Sequence, residues 1–245
     1  MNESSSFQRL AAVISIISAI LAFGSIGFQA VASGVTADPF SNPNSILGIG
    51  ANGATLFRWG LILDMFGYYL LLAPLALLLW SRLKPKDMNL ITLYTISGLA
   101  YMLIGAIGAV TLAAVGPPLI EGYGQASVQQ RQMYELVFSG FLNAVYVGLW
   151  NLLESVLSGI WWLGIGLFLR REQPALGLLT TVLGIFALLD ALGRIVNFQI
   201  IYTVGLAGVL LLIPIWTLWF GIDLLRSRKM RRKKTLSSVS EKYEG

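Results

Sequence analysis

The sequence contains no cysteine and no histidine among its 245 residues. Without cysteine the chain can form neither disulfides nor thiolate metal sites, and it has no thiol nucleophile. Without histidine it cannot use imidazole-bound metals, a haem histidine or Ser-His catalysis. Charged residues are also scarce, because Asp, Glu, Lys and Arg make up only 12% of the chain, whereas soluble domains carry about 25%. These absences argue against a soluble protein and against several large classes of enzyme.

Hydrophobic residues make up 56% of the chain and are concentrated in runs of about 20 residues, the length that crosses a bilayer as a helix. Six such runs are present: Leu10 to Ser33, Phe57 to Trp80, Leu90 to Val115, a fourth that ends at Leu169, Ala175 to Phe198, and Ile201 to Leu225. The sequence therefore predicts an all-α, polytopic bundle of six transmembrane helices. In this prediction residues 1–225 form one domain and residues 226–245 form a basic, disordered tail.

The basic residues predict how these helices are oriented, because cytoplasmic loops of membrane proteins are enriched in Lys and Arg. If the N-terminus is cytoplasmic, 14 of the 17 basic residues fall on that side, and only Arg58, Arg131 and Arg194 lie elsewhere. We therefore expect a multi-pass protein of the plasma membrane with both termini in the cytoplasm. Two connections on the opposite side, residues 35–56 and 116–132, contain Pro and Gly and are predicted to be loops.

Seven basic residues form a run directly after the sixth hydrophobic stretch. A basic run beside a membrane is attracted to anionic lipids by about 1 kcal/mol per residue. We expect this run to anchor the topology and to contact the headgroups of anionic lipids, and we expect no binding of nucleic acid. Its members are Arg226, Arg228, Lys229, Arg231, Arg232, Lys233 and Lys234.

Three carboxylates, Asp64, Glu154 and Asp190, lie within the hydrophobic runs. A charged side chain inside a bilayer costs about 2.5–3.5 kcal/mol even on the lenient insertion scale, so such residues usually face a bundle interior, a wet cavity or a partner. A rise of 1.5 Å per residue places all three roughly 24–27 Å from the cytoplasmic ends of their helices. They are therefore expected at one depth, in the outer third of the membrane.

Two further polar residues share helical faces with these acids. Arg194 follows Asp190 by four residues, and Tyr68 follows Asp64 by four residues. The outer parts of the helices thus hold three acids and only two arginines, Arg58 and Arg194. At least one carboxylate is then without an ion partner, and it could carry a proton or bind a cation or an amine.

One face of the fourth hydrophobic run carries a polar stripe: Glu135, Ser139, Asn143, Tyr146, Trp150, Glu154 and Ser158. From residue 136 to residue 169 the run would span roughly 51 Å as an α-helix, whereas the hydrocarbon core is about 30 Å thick. The helix must therefore project beyond the membrane, tilt, or break near Asn151, and we favour projection. In the third run, small residues on one face, among them Gly105 and Ala109, predict close helix packing.

Two hypotheses account for these residues. In the first, Asp64, Glu154 and Asp190 line an outward-opening polar cavity between the second, fourth and fifth helices, with Arg194 as their charge partner. That cavity would bind or pass a small polar or cationic ligand, or protons, with Asn143, Asn151 and Tyr68 contributing. In the second, the polar cluster holds the bundle together, and the protein is a non-enzymatic scaffold or assembly factor that works through its helix faces and basic tail. A lipid-modifying enzyme that uses one of these carboxylates is a less favoured alternative, because no spacing of residues supports catalysis specifically. No cofactor or metal is predicted, and a protein partner or a homo-oligomer is left open.

Part of the sequence is similar to a known family. The chain length, the Arg9-Leu-Ala-Ala start of the first helix and the stretch Leu63-Asp64-Met-Phe-Gly-Tyr-Tyr-Leu-Leu-Leu in the second resemble a family of uncharacterised six-span membrane proteins from bacteria and archaea, which carry a domain of unknown function. The resemblance covers roughly residues 7–227. It implies a prokaryotic membrane protein but no activity, so it assigns no functional residue.

Overall fold

The computed structural model describes residues 3–33 and 43–243, with the side chains of residues 6–32 and 44–226. Within these residues the chain is helical and contains no strand. Six helical stretches are long and apolar enough to cross a membrane, which confirms the predicted all-α, six-span fold. The orientation of the termini stays a prediction from the basic residues.

Eight α-helices build the six spans. Span 1 is α1 (Glu3–Ser33), span 3 is α4 (Met88–Gln125), span 5 is α7 (Pro174–Ile195) and span 6 is the membrane-crossing part of α8 (Gln199–Tyr243). Span 2 follows a 3₁₀ helix (Pro43–Ile49) and comprises α2 (Gly50–Asp64), a π-helical segment (Met65–Tyr69), a 3₁₀ turn (Leu70–Leu72) and α3 (Ala73–Leu83). Span 4 comprises α5 (Val128–Asn143), a second π-helical segment (Ala144–Glu154) and α6 (Ser155–Leu169).

The predicted loop over residues 116–132 is wrong. Helix α4 continues through Pro117 and Pro118 to Gln125, and only two residues separate it from α5. Proline is tolerated in membrane helices because neighbouring groups satisfy the backbone that it leaves free. The turn itself is set by a capping box between Ser127 and Gln130, which starts α5. Of the other predicted loop, residues 35–42 lie outside the described residues, and the remainder is helical from Pro43.

Span 4 is both long and irregular. Its 42 residues extend roughly 60 Å, about twice the thickness of a hydrocarbon core. Projection of this helix beyond the membrane stays a prediction. The π segment Ala144–Glu154 also widens the helix around Asn151. A break near this residue was one of the three alternatives that the sequence allowed.

Helix α8 continues through the basic run to Tyr243, whereas the sequence predicts a disordered tail from residue 226, and the character of that tail stays a prediction. No Pro or Gly follows Gly221 within the helix, and Lys, Arg and Leu are good helix formers. Arg226 is exposed, while the side chains of the six other basic residues of the run lie outside the described part. Their contact with lipid headgroups, and the domain boundary at residue 225, stay predictions.

The six spans form a ring in chain order, in which each span packs on the next and α8 closes against α1. We call the end with the connections 84–87 and 170–173 the basic end, and the end with the turn at residues 126–127 the hairpin end. Large apolar side chains such as Leu10, Ile20 and Leu103 point outward from the ring, as expected for surfaces in contact with lipid.

Two apolar clusters fill the ring. The first, here named the aromatic core, includes Tyr101, Trp161, Trp162, Trp216 and Phe220, and it extends to residues beside the connections of the basic end. The second lies toward the hairpin end and includes Phe57, Leu61, Leu112, Phe138 and Leu142. Polar side chains are gathered mainly around a cavity that both clusters border.

Candidate functional site

A cavity of about 370 Å³ lies inside the ring, and it is within the size range of small-molecule sites. Asp64 from α2, Glu154 from span 4 and Asp190 from α7 all line it. We call these three residues the acidic cluster. Asp64 and Asp190 are buried, with exposed fractions of 6% and 1%, and Glu154 is partly exposed.

Two of the three acids adjoin π-helical segments. Asp64 is the last residue before the π segment of span 2, and Glu154 is the last residue of the π segment of span 4. Such segments are rare and occur frequently at functional sites, because they break the regular register of a helix and redirect side chains. Asp190, by contrast, lies in the regular helix α7.

The irregularity of span 2 has local causes. Pro74 has no N–H to donate, and its ring displaces the carbonyl one turn earlier, so the helix cannot continue normally through residues 70–74. Gly67 lies against α1 so closely that a Cβ atom would overlap the backbone of Ala22. The hydroxyl of Ser18 also donates to the carbonyl of Gly67, which fixes the π segment on α1.

Each carboxylate has one partner from the protein. Ser25 Oγ lies 3.5 Å from Asp64 Oδ1, a long hydrogen bond, and Ser155 Oγ donates to Asp190 Oδ2 at 2.8 Å. Glu154 has the hydroxyl of Tyr69 as its hydrogen-bond partner.

The second oxygen of each carboxylate has no hydrogen-bond partner among the described residues, although it is buried. These atoms are Asp64 Oδ2, Glu154 Oε2 and Asp190 Oδ1, and the amide Nδ2 of Asn151 is in the same situation. Each unsatisfied buried polar group costs about 1–3 kcal/mol, and a charged group costs more. Four residues that line the cavity therefore each hold a buried polar atom without a partner among the described residues, three of them acceptors and one a donor.

Four aromatic side chains complete the polar part of the lining: Tyr68, Tyr69, Tyr146 and Trp150. The Tyr68 hydroxyl donates to the carbonyl of Leu210 at 2.7 Å, and the rings of Tyr146 and Trp150 pack edge to face with centroids 4.8 Å apart. These contacts hold the rings in place, so the faces and edges of the rings form a fixed part of the cavity wall.

The small face of α4 makes room for two of these rings. A Cβ atom at Gly105 would overlap the ring of Tyr69, and one at Gly108 would overlap the indole of Trp150. Trp150 Nε1 also donates to the carbonyl of Gly105 at 3.1 Å. The close packing predicted for this face thus positions aromatic groups of the cavity.

Among the residues whose side chains the structure describes, no basic one lines the cavity. Arg194, predicted as the charge partner of the acids, lies over the ring of Tyr202, 3.6 Å from its centroid. Within the described part of the chain it forms no ion pair with Asp190. The guanidinium follows the outer turn of α7 toward the start of α8, because the aromatic face there offers a cation–π contact. Arg194 thus forms no direct ion pair with Asp190, although its charge acts on Asp190, and its role as the charge partner of the acids stays a prediction.

Of the other predicted site residues, Tyr68 and Asn151 line the cavity, whereas Asn143 is exposed and lies outside it. A π-helix bonds residue i to residue i+5, so each residue turns through a smaller angle than in an α-helix. Over the eleven residues of Ala144–Glu154 the difference accumulates, and the face predicted for Asn143 is displaced.

Sequence reasoning missed the contribution of span 1. Ser25 and Gln29 line the cavity, and Gln29 Nε2 donates to Ser25 Oγ at 2.9 Å. The two residues are polar, four positions apart and on one face of a hydrophobic run, and that spacing was a signal that could have identified them. The remaining lining from α1 and α8 is aliphatic, and no sequence pattern distinguishes it from a surface in contact with lipid.

Residues 10–226 match a family described as a domain of unknown function, DUF4386. No curated protein matches the chain. No solved structure matches it.

Proposed function

As this chain belongs to the DUF4386 family, whose description names no activity, we propose from its cavity that it is an integral membrane protein that binds a small organic cation. One observation carries the proposal. Each member of the acidic cluster lines the cavity and has one buried oxygen without a hydrogen-bond partner, and no lysine or arginine of the described residues lines it.

A bound cation would satisfy these oxygens. Carboxylates taken out of water without a partner are costly, and a positive group placed among them supplies the missing charge and, for an amine, the missing N–H donors. Neutralising the cluster with protons would serve the same purpose, so protons are the natural competitor of the cation for this site.

The aromatic lining favours an organic cation over a metal ion. Ammonium groups are attracted to the faces of Trp and Tyr rings within about 6 Å of their centroids, and aromatic cages bind quaternary ammonium in this way. The described residues include no group of three or more acidic side chains close enough to hold a metal ion. The acids thus surround a ligand larger than a single ion, in a cavity of about 370 Å³.

Neutral variants of the acids test this proposal. Tetramethylammonium binding to the purified protein in lipid nanodiscs is compared with binding to Asp64→Asn and Glu154→Gln by calorimetry. We expect each variant to lose at least roughly tenfold in affinity, because removing one partner of a buried charge contact usually costs 2 kcal/mol or more. Glu121→Gln is the matched control, since Glu121 is an exposed acid that does not line the cavity.

Thermal unfolding and size-exclusion profiles establish that the variants fold. Equal affinity in the wild type and in both variants, or no binding by the wild type, would show that the acidic cluster does not bind an organic cation. A scaffold role predicts the opposite pattern: the cavity variants are silent in the cell, and truncation after Leu225 removes function.

The proposal includes the orientation expected from the basic residues, with both termini in the cytoplasm of a prokaryotic cell and the cavity in the outer half of the plasma membrane. Because the chain contains no cysteine, single-cysteine variants test this without background. An impermeant thiol reagent added to intact cells should label Gln125→Cys at the hairpin end and leave Arg171→Cys at the basic end unlabelled.

A further inference from the structure

We infer that the ligand is an amphiphile, a cationic headgroup on a hydrocarbon chain, and that the chain lies between α1 and α8. This inference rests on the proposed function and specifies its ligand. Its basis is the unlike chemistry of the two sides of one cavity. The acidic cluster and the aromatic rings come from spans 2, 4 and 5, whereas spans 1 and 6 contribute mainly aliphatic side chains.

We call these aliphatic residues the aliphatic wall: Ile26, Ala30, Leu206, Val209, Leu210 and Ile213. Ala30 is exposed, and all the others except Ile213 are partly exposed. Asp64, Asn151 and Asp190 are almost completely buried. The cavity therefore reaches the surface of the ring along the aliphatic wall, where Gln29 is also partly exposed, while Asp64, Asn151 and Asp190 are enclosed and Glu154 is partly exposed.

The opening has a definite place between the first and last spans. Toward the basic end α1 and α8 are in close contact at Gly221. A Cβ atom there would lie only 2.8 Å from Ile16 Cγ1 and 2.9 Å from Ala12 O. The aliphatic wall lies nearer the hairpin end on both helices. Exposed apolar side chains flank it there, among them Val31 and Val204. The opening is thus bordered by a surface suited to lipid rather than to water.

A hydrated small cation would have to pass this aliphatic opening without its water, which is costly for a charged group. An amphiphile in the bilayer already has its chain in hydrocarbon, so it can move sideways between α1 and α8 and place its headgroup at the acidic cluster. The unpaired carboxylate oxygens then meet the cationic head, and the aliphatic wall meets the chain. Both sides of the cavity are matched by one molecule.

The test uses two cations with the same head, tetramethylammonium and dodecyltrimethylammonium, and dodecanol as a neutral molecule with the same chain. Binding is measured in nanodiscs of zwitterionic lipid, and partition into empty nanodiscs is subtracted so that affinities refer to the concentration within the membrane. The key variant is Ala30→Trp, which fills the aliphatic wall without touching an acid. Ala207→Trp is the matched control, because Ala207 is exposed on α8 and does not line the cavity.

We expect the wild type to bind dodecyltrimethylammonium at least roughly tenfold more tightly than either tetramethylammonium or dodecanol. Ala30→Trp should abolish this difference in affinity, and Asp64→Asn should weaken binding of both cations. Ala207→Trp should leave both affinities unchanged.

If both cations bind equally tightly and both depend on Asp64, the proposed function stands and the inference that the ligand is an amphiphile is wrong. If dodecanol binds as tightly as its cationic analogue, the amphiphile is also wrong. If neither cation depends on Asp64, the proposed function itself fails.

Discussion

The aromatic core and the acidic cavity are neighbours in one ring of helices, but their interactions differ. In the aromatic core the rings of Trp161 and Trp162 have centroids 4.1 Å apart, those of Trp162 and Trp216 are 4.5 Å apart, and Trp216 Nε1 donates to Thr180 Oγ1 at 2.7 Å. The core leaves two neutral indole N–H groups without a partner, whereas the cavity leaves three carboxylate oxygens unpaired. The core gains stability from close ring contacts and leaves only neutral groups unpaired, whereas the cavity keeps acidic groups whose second oxygens have no partner among the described residues.

A third region contains a carboxylate that is paired with basic side chains. At the basic end Glu172 pairs with Arg82 Nη2 and with Lys86 Nζ, each at 2.7 Å, and so joins the two basic connections. The hydrogen bond from Lys86, together with the charge of Arg82, holds the pKa of Glu172 below its ordinary value. Basic partners are therefore available to the fold, and their absence from the cavity is a property of the cavity.

The largest effect should come from removing the centre of the aromatic core. Trp216→Ala deletes contacts with Trp161, Trp162 and Phe220, and it leaves the Thr180 hydroxyl without its indole donor. We expect the free energy of unfolding in mixed micelles to fall by about 3–5 kcal/mol, as for other buried Trp-to-Ala changes. The folded fraction should still bind tetramethylammonium with the wild-type affinity. A large loss of affinity with little loss of stability would mean that the two regions are not distinct.

An intermediate effect should come from Gly105→Ala, which acts on both regions through one methyl group. The new Cβ would overlap the ring of Tyr69, so the ring must move away from its place beside Glu154. Overpacking of this kind costs about 1–3 kcal/mol, and we expect cation affinity to fall with it. Gly124→Ala is the control in the same helix, because no other atom lies within 4 Å of a Cβ there. Equal behaviour of the two variants in unfolding and binding assays would contradict the role of Gly105.

The smallest effect should come from Glu172→Gln at the basic end. Partly exposed ion pairs contribute less than about 1 kcal/mol, so we expect a decrease in the free energy of unfolding within that limit. The pKa of Glu172 is lowered in the folded state from an ordinary value of 4.5. Its contribution is therefore complete above pH 4.5 and is lost as the pH falls through the lowered pKa. The difference between wild type and variant should shrink on acidification; a difference that is constant or grows would exclude this ion pair as its source.

The number of membrane spans could be predicted from the sequence because hydrophobic runs of the required length are separated by polar or basic residues. The apolar runs also singled out Asp64, Glu154 and Asp190, since charge is conspicuous there. Helical periodicity was less reliable for predicting which other residues share a face with these acids. It placed Tyr68 on the face of Asp64, where the structure also has it, but it failed for Asn143, which a π segment turns away.

Other features of the site depend on contacts between distant parts of the chain. The π segment after Asp64 requires Gly67 against α1, and the position of Tyr69 requires Gly105 on α4. Arg194 could not be assigned from spacing, because Tyr202 on the next helix competes with Asp190 for it. The aliphatic wall carries no chemical signal in the sequence, since the same residues would suit a surface in contact with lipid.

The closure of α8 against α1 has a consequence for the order in which the protein is made. The ribosome produces α1 before the other spans and α8 after them, yet these two helices together form the aliphatic wall. Until α8 is inserted, Asp64, Glu154 and Asp190 have no wall on that side and face the bilayer or a translocation factor. A chain in which α8 has not yet packed against α1 therefore leaves the three acids without the aliphatic wall on that side.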